Sequence, residues 1–272
     1  YDDWCIATMA HAMKKDSIAN IYYLRAQQYE NVWDPNTKFF RAKKFGKFVT
    51  PFNPYEVNSY YTEANAWQYL FAVQQDISGL KNLLGSDSAF AKKLDSLFNT
   101  KSNLAGRDQP DISGMIGQYA HGNEPSHHFA YLYDYCGQQW KTAKLVRQIM
   151  HDFYKPTRDG LIGNDDCGQM SAWYVFSAMG FYPVCPGVNE YATNDAIFHQ
   201  IEINQGDGKI FKHRAGNLYD LVAGKEGVVK AVGQWNKVDI IAEKGKLTFK
   251  LNDTEVLSTT YGDDNWKELI KN

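Results

Sequence analysis

The chain has 272 residues and a net charge of −2, with 44% hydrophobic and 22% charged residues. That length allows one large domain or two smaller ones, and the near-neutral charge excludes an electrostatic footprint for nucleic acid or an anionic membrane surface. Aromatic residues reach 15%, with 18 Tyr and 7 Trp, a content that suits a tightly packed core and suits stacking on sugar rings as well. Cys5, Cys136, Cys167 and Cys185 share no metal-ligand spacing; they allow either two disulfides or free thiols. No stretch is apolar over the roughly 18 residues that a membrane span needs. The opening Tyr1-Asp2-Asp3-Trp4-Cys5 reads as a helix start without a signal peptide, as in a fragment of a longer chain.

Helical patterns dominate the chain up to about residue 180. Trp4, Ile6, Ala7, Met9, Ala10 and Met13 recur at helical spacing, followed by Ile18, Tyr22, Leu24, Ala26 and Tyr29 before the stop at Asp34-Pro35. Residues 64–73 predict another apolar helix, and Ser86 predicts a cap for a helix over residues 88–98. Helices are expected over residues 125–135 and 140–153, the latter stopped before Pro156. A last one spans residues 166–179 and ends at Gly180, a glycine placed for a left-handed C-terminal cap. Several are apolar on more than one face, as in helices packed on two sides. After Tyr182 the pattern alternates: residues 197–203, 218–222, 238–242, 247–251 and 256–260 read as short strands between Gly, Asn and Asp turns. The expected organisation is a mainly α domain over residues 1–196 and an all-β segment over residues 197–272.

Four polar segments interrupt the helical region, one of them a structured loop of Trp33-Asp34-Pro35 with Phe39, Phe40 and Arg41, then Pro51-Phe52-Asn53-Pro54, expected at the rim of a site. In Tyr61-Thr62-Glu63-Ala64-Asn65-Ala66-Trp67-Gln68-Tyr69 a carboxylate stands beside aromatic rings, where desolvation would raise its pKa towards that of a general acid. A plain role in complementing the helix dipole is the alternative. His121-Gly122-Asn123-Glu124-Pro125-Ser126-His127-His128 places an amide and a carboxylate side by side, hard oxygen donors of the kind calcium prefers. Adjacent His127 and His128 would point about 100° apart on a helix, a poor arrangement for zinc. Gly163-Asn164-Asp165-Asp166-Cys167-Gly168-Gln169-Met170-Ser171-Ala172-Trp173 sets two Asp between glycines directly before an apolar helix, more acid than a cap requires.

Together these motifs resemble glycoside hydrolase family 92, the exo-α-mannosidases, over residues 1 to about 203. Phe181-Tyr182-Pro183-Val184 and Pro186-Gly187 add to the likeness. The resemblance implies the C-terminal portion of an (α/α)6 barrel, and calcium-dependent hydrolysis of terminal α-mannosides on N-glycans or mannans with inversion. It assigns Glu63 as acid and Asp166 as base, with Asp165 or Asn164 orienting Asp166 or its water. It further implies Trp67, Asn164 and His127 as substrate contacts, Asn123 and Glu124 as calcium ligands, and a periplasmic or secreted location. A non-catalytic carbohydrate-binding fragment is the competing expectation. Beyond about residue 204, Gly233-Gln234-Trp235-Asn236 and the strand pair after it resemble part of a concanavalin-like jelly roll of 3-keto-disaccharide hydrolases; a closing sheet of the barrel family is the alternative.

Overall fold

The computed structural model describes residues 1–198, 201–202, 228, 230, 237–260, 262–264 and 267. The chain divides into two compact units, Tyr1–Ala196 and Ile197–Asn272.

The first unit opens on a helical hairpin, α1 (Asp2–Ala12) and α2 (Asp16–Ala26), which bury only Ala7, Ala10 and Ala19. Lys14, at φ 59°, turns the chain between them, and Arg25 pairs with Asp3 at 3.1 Å. Ile6, Met9, Met13, Ile18, Ile21 and Leu24 stay exposed, so the second apolar face expected from the sequence exists but is uncovered. The helix expected over residues 64–73 contracts to one turn, α3 (Ala66–Tyr69), because Leu70, Phe71 and Val73 are all drawn into the core rather than onto one face.

A helix that periodicity missed, α4 (Ile77–Leu84), starts where the Asp76 carboxylate accepts the Gly79 N–H at 2.7 Å. α5 (Asp87–Asn99) starts as expected, with Ser86 Oγ accepting the Ala89 N–H at 3.1 Å. In place of an α-helix over residues 125–135, two 3₁₀ segments form, Glu124–Ser126 and Phe129–Cys136. About three residues per turn sends neighbouring side chains in three directions, and Phe129–Tyr133 is buried on all of them. Tyr131 meets Ser177 Oγ at 2.6 Å, while Tyr133 donates to Asp95 at 2.9 Å. α6 (Gln139–Phe153) packs on this stretch, and α7 (Gln169–Met179) ends at Gly180 with φ 91° as anticipated. Leu70, Phe71, Leu80, Phe90, Leu94 and Trp173 are among the fully buried residues, each contributing about 1.5–3 kcal/mol by leaving water. Short two-residue strand pairs stitch the loops, for instance Glu56–Val57 parallel to Ala105–Gly106. The four cysteines are free thiols.

In the second unit the described strands form one antiparallel sheet. β1 (Ile201–Glu202), β2 (Lys237–Glu243), β3 (Lys246–Leu251) and β4 (Thr254–Thr260) lie in that order. The register slips between Phe249 and Lys250, so Val256 is the extra residue of a bulge. Val256 and Leu257, neighbours in sequence, can therefore both join Phe249 and Leu251 in a small core. The strand expected over residues 218–222, residues 199, 200 and 203 of that over 197–203, and Gly233–Asn236 lie outside the described residues; of 197–203 the strand covers Ile201–Glu202. Among the described residues no helix is long and apolar enough to cross a membrane.

Candidate active site

Three loops of the first unit carry the polar motifs. Asn65, fully buried, caps α3: its Oδ1 accepts the N–H groups of Trp67 and Gln68 at 3.0 and 3.2 Å, while Gln68 Oε1 accepts the Asn65 N–H at 3.0 Å. Asn65 Nδ2 donates to Gln118 Oε1 at 2.8 Å. Glu63 thus lies before the cap rather than in the helix, exposed and at φ 52°. Its expected aromatic neighbours turn elsewhere. Trp67 is 7% exposed; its ring meets Phe39 and Tyr55, with Lys93 Nζ 4.6 Å from its centre. Tyr69 packs on Tyr61. Trp67 is therefore a core residue and offers no face to a substrate, and aromatic desolvation is not what surrounds Glu63.

The second loop is tied to the first by Asn123, whose Nδ2 donates to the Glu63 carbonyl at 3.0 Å. Behind it lies a buried imidazole network. His127 Nε2–H donates to the His121 carbonyl at 2.8 Å, which leaves His127 Nδ1 to accept from Gln169 Nε2 at 3.1 Å. Trp173 Nε1–H donates to the His127 carbonyl at 2.9 Å. Tyr154 donates to the Met170 carbonyl at 2.9 Å and accepts from His121 Nε2–H at 2.7 Å; the Tyr119 hydroxyl meets His121 Nδ1 at 2.7 Å. His128 Nε2–H donates to the Phe71 carbonyl at 2.8 Å. Burial holds all three rings neutral. It lowers His121 to about 2, helped by His127, and His127 to about 4 against the His121 carbonyl and the Asp166 charge. His127, expected to contact substrate, is buried, with its ring nitrogens engaged by the His121 carbonyl and Gln169.

In the third loop Asp166, Cys167 and Gly168 follow one another at φ 45°, 58° and 92°. Asp165 closes this turn: its Oδ1 accepts the Ser171 N–H at 2.9 Å and its carbonyl accepts from Gly168 and Met170 at 3.1 and 3.2 Å. The adjacent pair thereby divides its work. Asp165 is spent on the start of α7, and Asp166 is left exposed with Asn164 beside it.

The loops converge at Glu124. Its carboxyl is held above the ordinary range, first by desolvation and then by the charge and hydrogen bond of Asp166 and the charge of Glu63, against its own backbone N–H. Glu63, Glu124 and Asp166 are therefore electrostatic neighbours, and Asn123 and His127 adjoin them. The sequence motif held Gln169 without assigning it; a polar residue in the first turn of an otherwise apolar helix was the available signal.

Among the described residues no group of three or more His, Cys, Asp or Glu side chains is arranged to enclose a metal ion. In donor chemistry the Asn123 amide, Glu124 and Asp166 fit calcium, which takes about six to eight oxygens, but they supply only part of that shell. A cation would also relieve the crowding of the three carboxyls.

The model of the glycosyl hydrolase family 92 catalytic domain matches residues 1–253. The match runs well past residue 204, so it takes the β segment up to there into the same family, and the jelly-roll resemblance of the tail gains no support. A GH92 α-mannosidase from Bacteroides thetaiotaomicron, in complex with mannoimidazole, is 33% identical with TM-score 0.72, covering 97% of this chain and 33% of that one. Another structure of that family GH92 α-mannosidase shows 43% identity and TM-score 0.68 over 75% of this chain and 27% of that one. A GH92 inverting mannosidase from Bacteroides thetaiotaomicron VPI-5482 is 38% identical with TM-score 0.65, over 77% and 30%. An uncharacterized secreted glycosidase of Arthroderma benhamiae is 28% identical over 75% of this chain and 27% of its own. The chain thus spans about a quarter to a third of the length of these relatives.

Proposed function

The chain belongs to glycosyl hydrolase family 92, and on that premise we propose that it forms the C-terminal portion of an (α/α)6 barrel in an inverting exo-α-mannosidase, holding both the acid and the base. The observations that carry this reading are the Asn123 Nδ2 hydrogen bond to the Glu63 carbonyl, which ties the first two loops, and the electrostatic influence of Asp166 and Glu63 on the Glu124 carboxyl.

Glu63 protonates the glycosidic oxygen, and Asp166 takes a proton from the water that attacks the anomeric carbon from the opposite face. Asp165 fixes the turn that presents Asp166. Asn123 holds the Glu63 backbone. Gln169 and His127 back the base loop through their hydrogen bond. Asn123 and Glu124 would hold a calcium ion, which when bound supplies a positive charge to sugar hydroxyls. Asn164 contacts the sugar in this reading, which its exposed position next to Asp166 supports. The substrate class is α-mannoside glycans, and a secreted or periplasmic setting follows from such substrates together with the secreted relative.

The test uses the longest natural protein that carries this chain. Its product should appear first as the β-anomer by NMR, and EDTA should slow the reaction. Glu63→Gln should slow mannosides with poor leaving groups far more than activated aryl mannosides, since only the former need the proton. Equal losses on both substrates would remove Glu63 from the acid role, and binding without any turnover would favour a non-catalytic sugar-binding part.

A further inference from the structure

α6 turns Thr142, Val146, Ile149 and Met150 into the core and leaves Trp140, Lys144 and Arg147 in solvent. Trp140 is 65% exposed. An indole in water gives up the free energy of burial, and nothing in the packing of α6 requires one here. The rest of that face is polar, unlike the apolar outer face of α1 and α2, so it does not read as a surface awaiting a covering domain. The ring also has a fixed neighbour. Lys141 Nζ lies 5.5 Å from the centre of the Trp140 ring, and the same ammonium is held by both oxygens of Asp95 at 2.7 and 2.8 Å.

Beside the indole opens a hollow of 570 Å³, lined by Gln139, Lys144, Arg147, Thr193, Asn194 and Asp195 among others. That volume falls within the roughly 300–1,000 Å³ usual for small-ligand sites. Asn194 is its informative member. Its Nδ2 is anchored on the Ser177 carbonyl at 3.0 Å and its backbone N–H on the Gly180 carbonyl at 2.9 Å. Asn194 therefore holds this wall of the hollow in place, and Asp195 beside it opposes an anion. A sugar supplies hydroxyl donors for Asp195, acceptors for Lys144 and Arg147, and an apolar C–H face for the indole.

We propose that the hollow beside Trp140 is a second, non-catalytic carbohydrate site that binds a neutral sugar ring stacked on the indole. It is distinct from the carboxylate site. Ser177 and Gly180 end α7, whereas Asp165 and Asp166 precede its first turn, and an 11-residue helix sets the two about 16 Å apart. The choice of an α-mannan as probe rests on the proposed function; the site itself does not.

The experiment uses the longest natural protein carrying this chain, with Asp166→Asn to prevent turnover. Linear oligosaccharides of mannose, glucose and galactose are titrated by calorimetry, with and without Trp140→Ala. With Asp166 intact, Trp140→Ala should leave turnover of a small aryl mannoside unchanged and lower kcat/KM on polymeric mannan. In the titration it should weaken one oligosaccharide class at least tenfold, and Trp140→Phe should restore part of that affinity. If the class affected is glucan or galactan, the second site stands and the mannoside assignment falls. If Trp140→Ala changes neither binding of any oligosaccharide nor turnover of the polymer, the proposal is overturned. The exposed position of Trp140 keeps these variants folded, which thermal melts would verify.

Discussion

Replacing Asn65 by aspartate changes hardly any volume, yet the surroundings of this side chain make the exchange severe. Asn65 is fully buried, and its two halves do different work: Oδ1 accepts two backbone N–H groups and Nδ2 donates to Gln118 Oε1. Gln118 cannot turn its amide to compensate, because its Nε2 already donates to the carbonyls of Lys101 and Asn103 at 2.7 and 3.1 Å. In Asn65→Asp the cap survives, but an oxygen faces an oxygen. One lost hydrogen bond of about 1 kcal/mol, plus a buried acceptor left unsatisfied at about 1–3 kcal/mol, gives a deficit of about 3 kcal/mol at neutral pH. Protonating the new carboxyl restores a donor towards Gln118. Its folded pKa is therefore raised, and the lost stability returns as the pH falls through that value. Asn65→Ala removes the cap as well, and its deficit of similar size has no such recovery. Urea unfolding followed by tryptophan fluorescence at pH 7 and pH 4.5 separates the cases. An aspartate variant that matches the parent at pH 7, or whose deficit ignores pH, refutes this account of the capping box.

Two further predictions concern titration. Burial, assisted by the charge of Lys38, lowers Lys93 to about 8 from its usual 10.5. The unfolded chain then holds more protons between those values, so stability should rise from pH 8 to pH 10.5, and Lys93→Met should flatten that rise and be the more stable protein at pH 7. Parallel pH profiles of the two proteins in urea midpoints would contradict this. Burial lowers His128 to about 4 from 6.5, against the Phe71 carbonyl and aided by His127. Stability should be lost as the pH falls from 6.5 through 4, and His128→Gln, which keeps a donor for Phe71, should lose less; an equal loss by calorimetry would show that the ring does not titrate there.

Patterns that depend on neighbours in sequence were legible beforehand. Ser86 before α5, Gly180 after α7, and the alternation of β2 to β4 each have a local cause, and each formed. Elements set by tertiary demand were not. Phe129–Cys136 winds as 3₁₀ because its rings serve partners on three sides, and α4 owes its start to Asp76, whose other oxygen is taken by Tyr29 at 2.7 Å. In the candidate site two Asp between glycines stood out, because they exceed what capping needs, whereas an Asn-Glu pair before a proline also fits a plain cap. The direction of a ring could not be read. Trp67 sits four residues from Glu63 in the motif, and only the packing of Phe39 and Lys93 reveals that it faces the core. The network joining His127 to Gln169 spans 42 positions and leaves no periodic trace.

Glu63 and Asp166 both stand at positive φ, a conformation that costs a residue other than glycine on the order of 1 kcal/mol or more. A helix N-cap needs an extended backbone, and these two do not have one. The left-handed turn thus denies each carboxylate the nearby helix amides that would otherwise occupy it, as they occupy Asp165. Glycine at either position would relax the loop and erase the acid in one step. If the proposed acid and base roles hold, selection of variants by heat tolerance alone would drift towards inert proteins at codons 63 and 166, and a screen for robust forms has to read turnover alongside survival.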